Sequence, residues 1–181
     1  RIEKAISILD NYEKKKFFQY REIKEVEFNS IEIKAINLVD TTIDLNEENE
    51  FLIKDSKEKK TTIDLLKPFK NLDVTTKEIS QADKVKIFLG YFNNQVILNE
   101  IKLIKSYIEE IGVSNDKKYV SIVTDINEHE NVLNKLKLVG FTEVNLPLSD
   151  SLISDEIFNL ELKISENERL ITDNYEKLKV I

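Results

Sequence analysis

The chain has 181 residues, 41% hydrophobic and 34% charged, with three glycines and two prolines. A mixture rich in Lys, Glu, Ile and Leu and poor in turn formers predicts long helices and a modest core, as one domain with an appendage or as two small lobes. The net charge of -7 argues against nucleic acid, because a binder needs a basic face to release counterions.

Absence of cysteine removes disulfides and thiolate metal sites, and fits a reducing compartment. No apolar stretch reaches the ~18 residues needed to span a bilayer, and the N-terminus lacks a signal-peptide pattern. With no Met and with Arg1 opening directly onto helical periodicity, the chain reads as a piece of a longer protein.

Ile2, Ala5, Ile6, Leu9 and Tyr12 recur at three and four, which predicts one helical face ending near Lys14 to Lys16, where lysines complement the helix C-terminus. The following "FFQYREIKEVEF" alternates partially and fits an extended connection. From Asn29 the pattern sharpens: Ile31, Leu38, Leu45, Leu52 and Leu66 fall on one seven-residue series, with Lys59 its polar break. Such a series keeps one seam of a helix facing a partner. Asn29 or Ser30 supplies an N-cap, and Pro68 ends the element near Leu66. At about 1.5 Å per residue this helix is on the order of 50 Å long and must project from a small core. The polar run "KDSKEKKTT" predicts a kink or break near Ser56 to Thr62.

An apolar strand follows, with Val85, Ile87, Leu89 and Tyr91 alternating with Lys86, Phe88, Gly90 and Phe92. A helix is expected next, with Ile97, Ile101, Ile104 and Ile108 on one face, stopped by Gly112. Asn115-Asp116 are turn residues between a very short Val113-Ser114 strand and a longer one, Tyr119 to Ile126. A second helix carries Val132, Leu133, Leu136 and Val139 and ends at Gly140. A last strand, Phe141 to Leu146, stops at Pro147. The order is βαββαβ, the split ferredoxin-like arrangement, with the second strand weak and both helices on one face of the sheet. Its expected core is Val85, Ile87, Ile101, Ile104, Val120, Ile122, Leu133, Leu136 and Val144. Finally Ser154 caps a helix in which Ile157, Ile164, Ile171 and Leu178 are again seven apart. Two heptad segments flanking a globular insert predict an antiparallel stem.

The fold class is therefore α+β: a ferredoxin-like lobe at the end of an antiparallel two-helix coiled-coil stem. Residues 1–70 form the first arm, 71–150 the distal lobe and 151–181 the return arm.

Candidate chemistry is thin. Gly90, between a strand and a helical pattern, sits where a phosphate loop would begin. A Walker loop needs Gly-x-x-x-x-Gly-Lys-Ser/Thr and a dinucleotide loop needs three close glycines, because backbone amides must approach the phosphate. "GYFNNQV" offers one glycine and two aromatics, so Gly90 is assigned to relief of a strand end or bulge. His129 stands between Glu128 and Glu130 at a helix start, where neighbours point in different directions and do not converge on a metal; it is expected to be solvated. Glu109-Glu110 is expected as an exposed helix end, not a pair facing across a cleft. The runs "EKKK" (13–16) and "KEKK" (57–60) contain Glu and lack interleaved aromatics, so they read as solvated faces. The single His has no nucleophile motif nearby. No catalytic, cofactor-binding or metal residue is therefore assigned.

In order, "LLKPFKNLDV", "ADKVKIFLGYF", "KKYVSIVTDINEHENVLNKLKLVGFTEVNLP" and a closing long helix resemble the cytoplasmic N-terminal region of subunit I of prokaryotic V-type ATPases, subunit a in eukaryotes. The matching stretches are Leu66 to Phe69, Ile87 to Gly90 and Val139 to Pro147, within a similarity running from about Ile31 to Ile181. The departures are the polar "KDSKEKKTT", the weak second strand, and the absence of the family's membrane half and its more N-terminal lobe. The resemblance implies a non-catalytic stator part at the cytoplasmic face of the membrane, without cofactor or small-molecule substrate. Its implied partners are the peripheral-stalk subunits E and G, or their equivalents, and through the missing chain the membrane ring that moves protons or sodium. Alternatives are a ferredoxin-like ligand sensor and a coiled-coil adaptor of another complex.

Overall fold

A computed structural model describes residues 1–12, 25–93, 95–96 and 106–181, with side chains of the second helix described from residue 34 onward. The fold is α+β. Two compact units are present, Arg1–Lys59 with Leu162–Ile181, and Lys60–Glu161; both boundaries fall inside long helices.

The first unit holds α1 (Ile2–Leu9), most of α2 (Glu25–Leu66) and the last turns of α5 (Ile153–Val180). Ala5 and Ile8 of α1 are buried with Ile43, flanked by Tyr12 and Val39. This corrects the expected face, since Ile2 and Ile6 are exposed. Small Ala5 lets the helices approach closely, and ion pairs from Arg1 to Asp40 (3.3 Å) and from Lys4 to Glu47 (2.8 Å) fix which side turns inward. The proposed connection "FFQYREIKEVEF" lies mostly outside the described residues, but Glu25 to Phe28 are helical.

No break occurs near Ser56 to Thr62, because α2 is continuous from Glu25 to Leu66. That span contains neither Gly nor Pro, and its polar residues pair along the helix, Lys54 with Glu58 (3.9 Å) and Lys59 with Asp55. Such i,i+4 pairs support a helix through a stretch without an apolar face. Leu45 and Lys59 are half-buried and Leu52 and Leu66 buried, as the heptad reading requires, whereas Leu38 is exposed. Ile31 lies among the residues whose side chains are not described.

Burial shows a second series offset by three or four residues, formed by Thr42, Asn49, Ser56 and Ile63. In α5 likewise, Ile164 and Leu178 alternate with buried Leu160, Asn167 and Asn174. Ser154 is the second residue of α5, not its cap. The turn before it is held by Ser149, whose hydroxyl accepts from the Ser151 N–H (3.1 Å) and donates to Glu156 (3.1 Å).

The second unit carries a four-stranded antiparallel sheet of β1 (Val85–Asn93), β2 (Ser106–Ser114), β3 (Lys117–Asp125) and β4 (Thr142–Glu143), in the order β2-β3-β1-β4. The helix expected over Ile97 to Ile108 is corrected at its C-terminal end: Ser106 onward is strand, while 97–105 lie outside the described residues. Thus β2 has nine residues instead of two. Asn115 and Asp116 both adopt positive φ (49° and 57°), the two-residue turn whose twist matches the flanking strands. β4 is shorter than expected, its pairing continued only by the Val144 N–H to the Leu89 carbonyl (2.8 Å).

On one sheet face Phe88, Phe92, Val120 and Ile122 pack with Val132 and Leu136 of α4 (His129–Leu138) and with Phe141, with Val96, Ile108 and Leu133 at the margin. The expected core shifts accordingly. Val85, Ile87 and Val144 are half-buried, and Ile101 and Ile104 lie outside the described residues. Both faces of β1 are apolar, and the larger phenylalanines take the face under the helix. Gly140 ends α4 with φ +87°, the Phe141 N–H reaching the Leu136 carbonyl (3.0 Å) and the Gly140 N–H that of Lys137 (3.1 Å).

The opposite face is covered in part, Tyr107 of β2 remaining exposed. The 3-10 turn Lys67–Phe69 brings Phe69 edge-on to Tyr119 (centroids 5.6 Å), and Ile87 and Leu89 share a groove with Ile79 of α3 (Thr76–Ser80). Thr75 caps α3 in a reciprocal capping box with Glu78. The Thr76 hydroxyl ties α3 to the segment after β4, donating to the Pro147 carbonyl (2.8 Å) and accepting from the Ser149 N–H (2.7 Å).

Candidate functional site

Gly90 lies inside β1, level with Val120 on one side and Glu143 on the other. A Cβ there would come 2.3 Å from the Thr142 carbonyl oxygen and 2.4 Å from the Phe141 ring. Its glycine is required by close approach of the β4 segment, in mid-strand and not at a strand end or bulge.

His129 is half-buried, not solvated, its Nδ1 2.6 Å from the Ile126 carbonyl; as this oxygen only accepts, Nδ1 carries the proton. That bond closes the turn before α4. Glu109 and Glu110 are exposed but on β2, where Glu110 pairs with Lys118 (3.9 Å). Lys57 to Lys60 lie within α2, and residues 13–16 lie outside the described residues. Among the described residues no group of three or more His, Cys, Asp or Glu stands together as a metal site, and no helix is long and apolar enough to cross a membrane.

The structure brings together two arrangements that the sequence series did not single out. One is a cleft of about 490 Å³ where the turn Lys67–Phe69 faces β2 and the β2–β3 hairpin. Ile111, Val113 and Tyr119 give it an apolar wall, and Lys67, Lys70, Asn71 and Asn115 a polar rim. Asp64 pairs with Lys67 at 3.7 Å, both largely exposed. Gly112 sits at the β2 bulge with open space where a Cβ would stand, so nothing from β2 fills the cleft there. It is a shape for receiving a protruding group; it brings no base next to a nucleophile.

The other arrangement is the polar packing of the first unit. Asn167 Nδ2 donates to Asp55 (2.7 Å) and Ser56 (3.1 Å), and Asn174 Nδ2 donates to Glu48 (2.8 Å) and Asn49 (3.2 Å). Lys177 donates to the Asn174 oxygen (3.3 Å). Hydrogen bonds to Lys59, then to Asn167, hold the Asp55 carboxyl below its ordinary value. Moving up seven residues in α5 moves the contact down seven in α2, so these segments run antiparallel. The signal was present as Asn49, Ser56, Asn167 and Asn174 at heptad spacing, but a search for apolar seams passes over it.

Among solved structures the chain resembles the crystal structure of the cytoplasmic N-terminal domain of subunit I, homolog of subunit a, of V-ATPase. The TM-score is 0.58 at 10% identity, covering 98% of this chain and 60% of that one. At this identity the likeness is one of fold. This chain spans about three-fifths of that domain's length. The sequence matches no family model and no curated protein.

Proposed function

We propose that the chain is a non-catalytic stator component of a rotary V-type ATPase, linking peripheral stalks to the membrane sector that translocates protons or sodium. The observation that carries this reading is the fold likeness over 98% of the chain, which joins the motif resemblance at Leu66 to Phe69, Ile87 to Gly90 and Val139 to Pro147. In this reading the sheet and α4 form a ferredoxin-like lobe, and α2 and α5 form a coiled-coil stem. The lobe receives the peripheral-stalk subunits E and G or their equivalents, with the cleft beside Lys67 and Lys70 as the docking surface. The fragment works at the cytoplasmic face of the membrane and reaches the ring sector through the remainder of its chain.

The antiparallel helix segments and the sheet packed under α4 support a load-bearing part. A pull-down with purified peripheral-stalk and ATPase components tests the assignment: the stalk pair is retained if it holds, and retention of neither set refutes it. The ligand-sensor reading draws on the same cleft. A small molecule that raises the melting temperature of the chain and is displaced when Gly112→Leu fills the cleft would favour that alternative.

A further inference from the structure

We infer that Asn49, Ser56, Asn167 and Asn174 are register-specifying residues, which hold the antiparallel segments of α2 and α5 at one heptad setting that their apolar seam leaves open. This inference stands apart from the functional reading. All four are buried, from 2% to 9% exposed. The Asn49 Nδ2 is buried without a partner. An apolar residue at that position would avoid this cost, so the polar layers come at the expense of stability.

The hydrogen bonds between the helices set residues 49 and 174 level, and 56 with 167, which places Leu52 level with Ile171 and Leu45 with Leu178. Leucine-isoleucine and leucine-leucine layers are nearly equivalent, so a slide of one heptad would exchange one apolar layer for another. The polar layers are not equivalent. Each asparagine donates to a carboxylate one residue before its layer partner, Asn174 to Glu48 and Asn167 to Asp55. A slide toward the N-terminus of α2 brings Asn174 level with Thr42, and the residue before that partner is Thr41, which offers no carboxylate. A slide the other way carries Asn167 past Ser56. In either direction one buried asparagine loses its carboxylate, and an unpaired buried amide is strongly disfavoured.

The chain has no cysteine, so engineered pairs report the register directly. Leu52→Cys with Ile171→Cys reports the observed setting, and Leu52→Cys with Ile164→Cys or with Leu178→Cys reports the two slid settings. One heptad displaces a residue by about 10 Å, beyond the reach of a disulfide. With the polar layers intact, only the first pair should close in mild oxidant. With Asn49, Ser56, Asn167 and Asn174 all changed to Leu, a slid pair should close to an extent comparable with the first, and the chain should melt at a higher temperature. Asn49→Leu with Asn174→Leu alone provides a milder background if the fourfold variant does not fold. Closure confined to Leu52 with Ile171 in either leucine background would overturn the inference, as would closure of a slid pair with the polar layers intact.

Discussion

Gly90 shows how one residue acquires two readings. Beside an apolar run it invites a phosphate loop; in the sheet it is the point where the Thr142 carbonyl and the Phe141 ring lie too close for a side chain. The sequence announced a special glycine, but the reason depended on a strand partner more than fifty residues later in the chain. Gly90→Ala must push that segment away, and overpacking of this kind costs about 1 to 3 kcal/mol. Urea denaturation should show the midpoint falling with the slope unchanged; an unaltered midpoint would mean that Phe141 yields freely.

Among the described residues, Asp55 carries a pH dependence beside the buried layer of Ser56 and Asn167. Its folded carboxyl titrates below the ordinary 3.8, because Lys59 and Asn167 bond to the charged form. A depressed folded value gives stability that is present above 3.8 and lost as pH falls through the lower folded value. Asp55→Asn should therefore melt below the parent at neutral pH, with the gap closing on acidification past 3.8. Melting curves across that range check it, and a gap independent of pH would remove Asp55 from the account.

At the scale of elements, heptad spacing was legible because repetition over several turns accumulates signal. Only the apolar half was recognised, since Asn and Ser carry no hydrophobic periodicity. The break foreseen in "KDSKEKKTT" does not occur, as charge alone does not interrupt a helix that lacks Gly and Pro. The misassigned β2 has a different cause. Ile104, Ile108 and Ile111 fit helical spacing at four and three, while the turn Asn115-Asp116 pairs Ser114 with Lys117 and so gives nine-residue β3 a partner of equal length. A two-residue strand could not meet that demand, and counting outward from the turn would have located β2.

Ile171, level with Leu52, is where the apolar seam is most directly tested. Ile171→Asp places a carboxylate between the helices and should lower the melting temperature by several degrees and speed amide exchange in both segments. Unchanged melting would show that the seam lies elsewhere.

For the molecule as a whole, composition and charge narrowed the function classes, and the order of elements led to the family resemblance. The cleft proposed for docking was not legible. The cleft gathers Lys67 and Lys70 from the turn after α2, and Gly112 and Asn115 from β2 and its hairpin, residues joined by no motif. In the proposed stator role, contacts would gain strength by acting together, so the affinity of the lobe for a peripheral stalk is expected to be modest. Titration calorimetry of the intact chain with the peripheral-stalk pair decides whether the chain is a stator part. Saturable binding is expected, abolished by Lys67→Glu with Lys70→Glu and retained by Phe51→Glu on the exposed side of α2; no binding by the parent chain, or loss caused by Phe51→Glu with none from the lysine changes, would refute the stator role.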